Sequence, residues 1–246
     1  MTLRVNPEEG NGLSGKQAGG EVKVMKRTAL ILFFILVTAS SVLGAGKDLE
    51  VRGKTLTSRK PPFVVTLPSD LQWIHSSSIE HPTESSLTRT DFLIRDQKKQ
   101  IEEMLIVQIA AKTNPQAGPM VVPPLKPFSE KRMYSKGKIR KGETEIEYLI
   151  QLMAWNPDAP SLQPILKKGW TLSTHWAIQT QILFQPDLEQ AVFLRYSKDT
   201  RSFGLKVSAE GGPWDKEALS GNERKVYEAF QRTVSGVMDS LRFENR

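Results

Sequence analysis

The fold this sequence predicts is α+β: an antiparallel multistranded sheet built of hairpins and a meander, covered by a C-terminal amphipathic helix. Three observations carry that expectation. First, apolar and polar side chains alternate through residues 170–185, where Trp170, Leu172, Trp176, Ile178, Ile182 and Phe184 share one parity. Ile146, Tyr148, Ile150, Leu152 and Ala154 repeat the pattern, and period two is the signature of a strand with one buried side. Second, short charged turns, Asp96-Gln97-Lys98-Lys99-Gln100 and Lys141-Gly142-Glu143, join neighbouring runs of this kind. Third, the period changes near the C-terminus. Val226, Tyr227, Phe230, Val234, Val237, Met238 and Leu241 fall three or four apart, which gives a helix with one apolar stripe.

Taken in order, residues 1–24 show no apolar periodicity and read as an extension ahead of a start at Met25. Residues 25–45 have the three-part layout of a secretory signal: Lys26 and Arg27, an apolar run over residues 29–37, and small residues ending in Val42-Leu43-Gly44-Ala45. Cleavage is expected after Gly44 or Ala45. The same uncharged stretch, continued to Gly46, is at the lower edge of what spans a bilayer, so a single-pass membrane anchor is the alternative. Residues 46–60 are polar and charged and are expected to be a linker into one domain over residues 61–246.

Within that domain a short strand over residues 63–67 is stopped by Pro68, and the serine-rich residues 76–86 are expected to be loop. Residues 87–95 and 104–111 form a first hairpin. Residues 113–128 contain Pro115, Pro119, Pro123, Pro124 and Pro127, each of which removes a backbone donor, so this is a long surface loop. Residues 131–140 and 144–155 form a second hairpin, and a further proline-containing loop, 156–169, leads to the strand at 170–185. Residues 190–197 and 201–208 complete the meander. Ser220 or Asn222 suits the N-cap of the final helix, with Glu223 in its first turn.

The two ends of the domain carry a resemblance. Leu67-Pro68-Ser69 after an apolar strand, and Tyr227-Glu228-Ala229-Phe230 with Val237-Met238-Asp239-Ser240-Leu241-Arg242-Phe243 on the last helix, make the chain similar to the PsbP/Mog1-like α/β/α sandwich group. That resemblance implies a small accessory, assembly or protein-binding module. The second helix of that fold is not visible between Ser69 and Ser86, where Pro82 and the serines oppose it.

Composition narrows the chemistry. Cysteine is absent, which excludes a disulfide framework, a thiol nucleophile and thiolate metal sites. His75, His81 and His175 have no metal-ligand spacing, and neither a hydrolase elbow nor a phosphate loop occurs, so no cofactor or metal is expected. The net charge of +7 favours an acidic protein, an anionic lipid or an acidic polymer of the bacterial periplasm or cell envelope. An exported chain is not expected to meet nucleic acid, and an uncleaved signal would add membrane association. The candidate contacts are basic and aromatic. Lys131, Arg132, Lys136, Lys138, Arg140 and Lys141 crowd one hairpin, where shared parity would make Arg132, Lys136, Lys138 and Arg140 a cationic ridge. The same charges also suit a guarded edge strand. Trp155, Trp170 and Trp214 adjoin loops and could rim a ligand, or lie in the core. The expected function is therefore a non-catalytic exported binding or accessory protein. The alternative is an exported hydrolase with a site assembled from scattered residues such as His175.

Overall fold

The computed structural model describes residues 48–204 and 214–243, so the expected extension, signal or anchor lies outside the described residues. Two antiparallel sheets and one long helix make up the fold. The smaller sheet has the order β1 (Leu49–Arg52), β2 (Thr55–Arg59), β3 (Pro62–Thr66) and β11 (Arg242–Phe243). The larger has seven strands: β4 (Gln72–His81), β5 (Ser86–Gln97), β6 (Gln100–Lys112), β7 (Met133–Lys141), β8 (Thr144–Met153), β9 (Ala177–Phe184) and β10 (Gln190–Asp199). Its spatial order is β4-β5-β6-β10-β9-β8-β7. The α+β class and the C-terminal helix are as expected, while the second sheet is not.

One face of the large sheet is apolar. Leu93, Leu105, Val107, Ile150, Ile178, Ile182, Phe184, Val192 and Leu194 project from it into a core shared with Leu56, Phe63 and Val65 of the small sheet. The helix α2 (Gly221–Ser240) adds Val226, Phe230, Val234, Val237 and Met238 to the same core. Burial of each such side chain contributes about 1.5–3 kcal/mol, so this face supplies most of the fold's hydrophobic stabilisation. Phe230 stacks on Tyr196 with ring centres 5.7 Å apart, and Phe184 meets Phe63 and Phe243 edge to face. Ser220 occupies the N-cap position of α2 without a side-chain capping bond.

The segment expected as a linker is structured. Leu49 and Leu56 are buried, and β2 pairs with β3 from Thr55↔Thr66 to Arg59↔Pro62. Its apolar residues are too few to signal a strand alone; they become one because β3 offers a partner and the helix-covered core offers cover. Residues 72–81, expected as loop from Ser76 on, form edge strand β4, which is paired on one side only with β5. Its Ser-Ser-Ser run bears no apolar face because little covers it. Both expected hairpins are present. Lys98 and Lys99 adopt φ of 51° and 64° in the β5–β6 turn, the left-handed pair of a tight two-residue turn, and Gly142 at φ 60° turns β7 into β8.

Two further expectations change. The strand expected over 170–185 begins only at Ala177, because Trp170 and Leu172 pack into a second cluster and the amide of His175 donates to Ser173 Oγ in a bend. Residues 201–203, expected to open another strand, belong instead to the 3-10 turn Thr200–Phe203 capped by Asp199; residues 205–208 lie outside the described residues. That second cluster lies on the opposite face of the large sheet. There Phe92, Ile94, Met104, Ile106 and Ala177 are covered by Trp155, Leu162 and Ile165 from the 154–176 connection, which carries the single-turn α1 (Gln163–Leu166).

Candidate functional site

The proline-rich segment 113–129 is the crossover that connects β6, in the middle of the sheet, to β7 at its far edge. It must pass β10, β9 and β8, and strands about 4.8 Å apart set that span at about 19 Å. It is tied down as a strap along the way. Met120 N donates to Leu188 O (2.7 Å), Gln185 Nε2 donates to Met120 O (3.1 Å), and Lys136 Nζ donates to Leu125 O (2.7 Å). At its end Phe128 N donates to Gln151 Oε1 (2.8 Å). Prolines suit this path because an extended segment outside the ladders has no use for their missing donors. Leu125 is buried under the strap, yet Val121 is 90% exposed, Phe128 68% and Leu188, beside the Met120 bond, 72%.

Beneath and beside the strap the sheet face is polar. Gln179 is the hub: Gln151 Nε2 and Gln181 Nε2 donate to its Oε1 at 3.1 and 2.9 Å, and its Nε2 donates to Ser197 Oγ at 2.9 Å. These four residues are buried. Two strands away Gln108 Nε2 donates to Thr90 Oγ1 (3.2 Å), and Gln108 Oε1 accepts from Arg195 Nη2 (2.6 Å). Burial pushes the Arg195 guanidinium down to about 10 from its usual 12.5. The guanidinium carbon lies 4.9 Å from the Phe193 ring centre, and no hydrogen bond reaches the buried Nε.

The basic hairpin is placed differently from its expectation as one ridge. Lys136, Lys138 and Arg140 do share the strap-side face of β7, but the bulge between Met133 and Ser135 and the 3-10 turn Glu130–Arg132 take Arg132 out of line. Arg132 lies over the Trp176 ring at 3.8 Å instead, a cation–π contact. Carboxylates meet the ridge: Lys136 pairs with Glu147 at 3.3 Å and Lys138 with Glu145 at 2.6 Å. Lys141 points to the other face, where its Nζ donates to the carbonyls of Asp239 (2.7 Å) and Leu241 (3.1 Å) at the end of α2, a cation where the helix dipole is negative. Lys131 is exposed, and its carbonyl accepts from Lys216 N.

The three tryptophans do not form a rim. Trp155 and Trp170 belong to the cluster on the strap side, with Lys99 Nζ 5.4 Å from the Trp170 ring, whereas Trp214 is buried in the helix-covered core. The Trp214 carbonyl accepts from Tyr134 Oη at 2.8 Å, and burial raises the Tyr134 phenol far above its usual range.

The remaining charged clusters are built inward. On the helix side, Glu103 Oε2 accepts from Ser69 Oγ (2.5 Å) and Tyr196 Oη (2.6 Å), while Oε1 faces Arg95 Nη2 at 2.9 Å and Lys198 Nζ at 3.3 Å. Burial would raise this carboxyl, but the two hydroxyls and two cations outweigh it and hold it below the ordinary value. Asp199 accepts Nε and Nη2 of Arg201, and the same guanidinium donates to Ser173 Oγ. His175 is therefore not in a triad with these groups: its Nδ1 faces Thr174 Oγ1 at 3.3 Å, and Asp199 is engaged by Arg201. Among the described residues no cluster of three or more histidine or acidic side chains could hold a metal ion. A crevice under α2 lined by Val65, Leu67, Leu194 and Val237 has about 10 Å³, at most the room one water needs.

Arg195, Gln108 and the exposed Val121, Phe128 and Leu188 are the residues sequence reasoning passed over. Arg195 carried a signal, a charge flanked by Phe193, Leu194 and Tyr196 in mid-strand. The apolar residues of the strap carried none apart from their prolines. Comparisons with protein-family models, with curated proteins and with solved structures give no match to this chain.

Proposed function

We propose that this chain is a non-catalytic, exported accessory protein that binds a protein partner through the strap at residues 113–129. One observation carries the reading. Val121 and Phe128 stand in solvent on a segment that hydrogen bonds fasten to β7, to β8 and to the β9–β10 connection, and that connection adds the exposed Leu188 beside it. Exposed large apolar side chains on a prepositioned, proline-stiffened segment lose little entropy on docking, and an extended proline-rich segment suits an apolar groove. The compensated Lys136 and Lys138 make anionic lipid or polymer the weaker choice of partner. Export rests on the signal-like residues 25–45, and the resemblance to the PsbP/Mog1-like group agrees with an accessory role.

The test uses the full chain in its own cell, with a photoreactive phenylalanine derivative placed in turn at Val121, Phe128 and Leu188, and at exposed Lys225 on α2 as control. The expected result is one discrete protein adduct from the strap positions and none from Lys225, on chains whose mass begins at Ala45 or Gly46. Adducts of equal yield from Lys225, or no strap adduct, would reject the docking surface. An unprocessed mass in the membrane fraction would replace export with anchoring.

A further inference from the structure

Among the described residues, three of the buried carboxylates are paired with cations. Asp91 pairs with Arg89 at 2.7 Å, Glu103 with Arg95 and Lys198, and Asp199 with Arg201. Glu223 has no paired cation among the described residues and its buried Oε2 has no hydrogen-bond partner, but it lies in the first turn of α2, where the helix dipole favours negative charge. Arg195 lacks such provision. Among the described residues no carboxylate lies within ion-pair distance of its guanidinium. The register explains why: Gln181 stands opposite it on β9 and Ile106 on β6, while Phe193 and Ser197 are its neighbours on the same face of β10. The nearest charge on its own strand, Lys198, points to the other face and is held by Glu103. A cation largely withdrawn from water without a counter-charge is costly, and the neutral Gln108 oxygen and the Phe193 ring offset that cost only in part.

The geometry points to what would offset the rest. The side-on edge of a guanidinium presents Nε–H and one Nη2–H in parallel, the fork that a carboxylate matches with two bonds. In this protein Arg201 shows the edge filled: its Nε and Nη2 both reach the Asp199 carboxylate, at 3.2 and 2.8 Å from Oδ2. At Arg195 the same edge is half filled. Gln108 Oε1, a neutral oxygen, takes Nη2 at 2.6 Å, and Nε has no hydrogen-bond partner. Gln108 is oriented for this by its own donation to Thr90 Oγ1. Gln108, Phe193 and Arg195 remain partly exposed, unlike the buried Gln179 and Gln181 next to them, so a ligand group can approach at this point of the face.

We propose that Arg195, with Gln108 and Thr90, is a binding site for the carboxylate of a ligand lying on the strap side of the large sheet, the carboxylate replacing the Gln108 oxygen on the Nε–Nη2 edge. A single planar guanidinium bordered by amides and an aromatic ring suits a planar monoanion. Phosphoryl and sulfate groups call for several cations or a cradle of backbone amides, and Lys136 and Lys138 on this face are already paired. The site shares no residue with the apolar strap contacts, so it stands or falls separately from the docking surface.

The test is a titration of the full chain followed by the Arg195 Nε–Hε resonance, identified by its absence in Arg195→Gln. The probes are sodium acetate, sodium sulfate at matched ionic strength, and the tripeptide acetyl-Ala-Ala-Phe as free acid and as amide. Acetate and the peptide acid should shift the resonance saturably, the amide and sulfate should not, and Arg195→Gln should weaken peptide-acid binding at least tenfold by equilibrium dialysis while keeping its circular dichroism. Arg195→Lys, which folds with the charge but lacks the fork, should also lose most of the affinity. Peptide acid binding tenfold or more tighter than acetate assigns the carboxylate to a peptide terminus, and equal binding assigns it to small carboxylates; both support the site. An unmoved resonance, an equal response to sulfate, or undiminished binding by Arg195→Gln would overturn it.

Discussion

Replacement of Glu103 by glutamine isolates the best-defined buried interaction in the fold. The carboxylate on β6 gathers Tyr196 and Lys198 from β10, Arg95 from β5, and Ser69 from the connection between the two sheets. Glutamine keeps the shape and one acceptor, but its amide nitrogen confronts either two cations or two hydroxyl donors. Breaking a buried ion pair costs about 3–5 kcal/mol, and one buried hydroxyl left without an acceptor about 1–3 kcal/mol. Arg95 is 43% exposed and rehydrates readily, which discounts its share, so the expected loss is about 3 kcal/mol. With a urea slope of about 2 kcal/mol per molar, the unfolding midpoint should fall by about 1.5 M. The penalty should also depend on pH with a defined sign. The folded carboxyl is held below its ordinary value near 4.5, so the wild-type advantage is fully present above that value. It is lost as pH falls through the lowered folded value. Urea titrations of both proteins at pH 7 and through the acid range measure this. A midpoint change below about 0.3 M at pH 7, or a difference that grows on acidification, would refute the assignment of Glu103 as an ionised, satisfied hub.

Two further outcomes follow from the helix-covered face. Phe230→Ala removes the ring stacked on Tyr196 and should cost about 3–5 kcal/mol, measured by chemical denaturation, with the loss of a side chain that is fully buried. Lys141→Ala removes the cation from the carbonyls of Asp239 and Leu241 and should cost about 0.5–1 kcal/mol, falling towards zero when the comparison is repeated in high salt.

How much of this was legible in the sequence follows from where each residue's partner lies. The α2 stripe and the β5–β6 and β7–β8 hairpins were readable because period and turn chemistry are local. Leu49, Val51 and Leu56 were not, since a four- or five-residue strand acquires meaning only from β3, and β4 was hidden because an edge strand such as Gln72–His81 needs no apolar face. Gln179 and Gln181 have the parity opposite to Ile178 and Ile182, the side that a strand with one buried face turns to solvent. They are buried, and Gln151, which donates to Gln179, also accepts from Phe128 at the end of the strap, a segment about 50 residues earlier in the sequence. Parity placed Lys136, Lys138 and Arg140 together correctly, but a bulge of one residue removed Arg132, and the acids of β8 that neutralise the ridge required the hairpin register to be known.

The two faces of the large sheet divide the labour of the fold, and the division explains where binding chemistry can reside. The helix-covered face is closed by α2 and the small sheet, and charges on it find partners within the fold, Glu103 with Arg95 and Lys198, and Lys141 with the last carbonyls of α2. The strap-covered face has an apolar cluster at one end only. Its middle is a row of amides, hydroxyls and one guanidinium, Gln151, Gln179, Gln181, Arg195, Gln108 and Thr90, spread over five adjacent strands from β8 to β5. Stability alone would favour branched apolar residues at those positions, because replacing a satisfied buried polar network by packed apolar groups is often neutral or better. A polar row of this length, joined at Gln151 to an ordered strap that shows apolar side chains to solvent, is what both the proposed partner contact and the proposed carboxylate site would use.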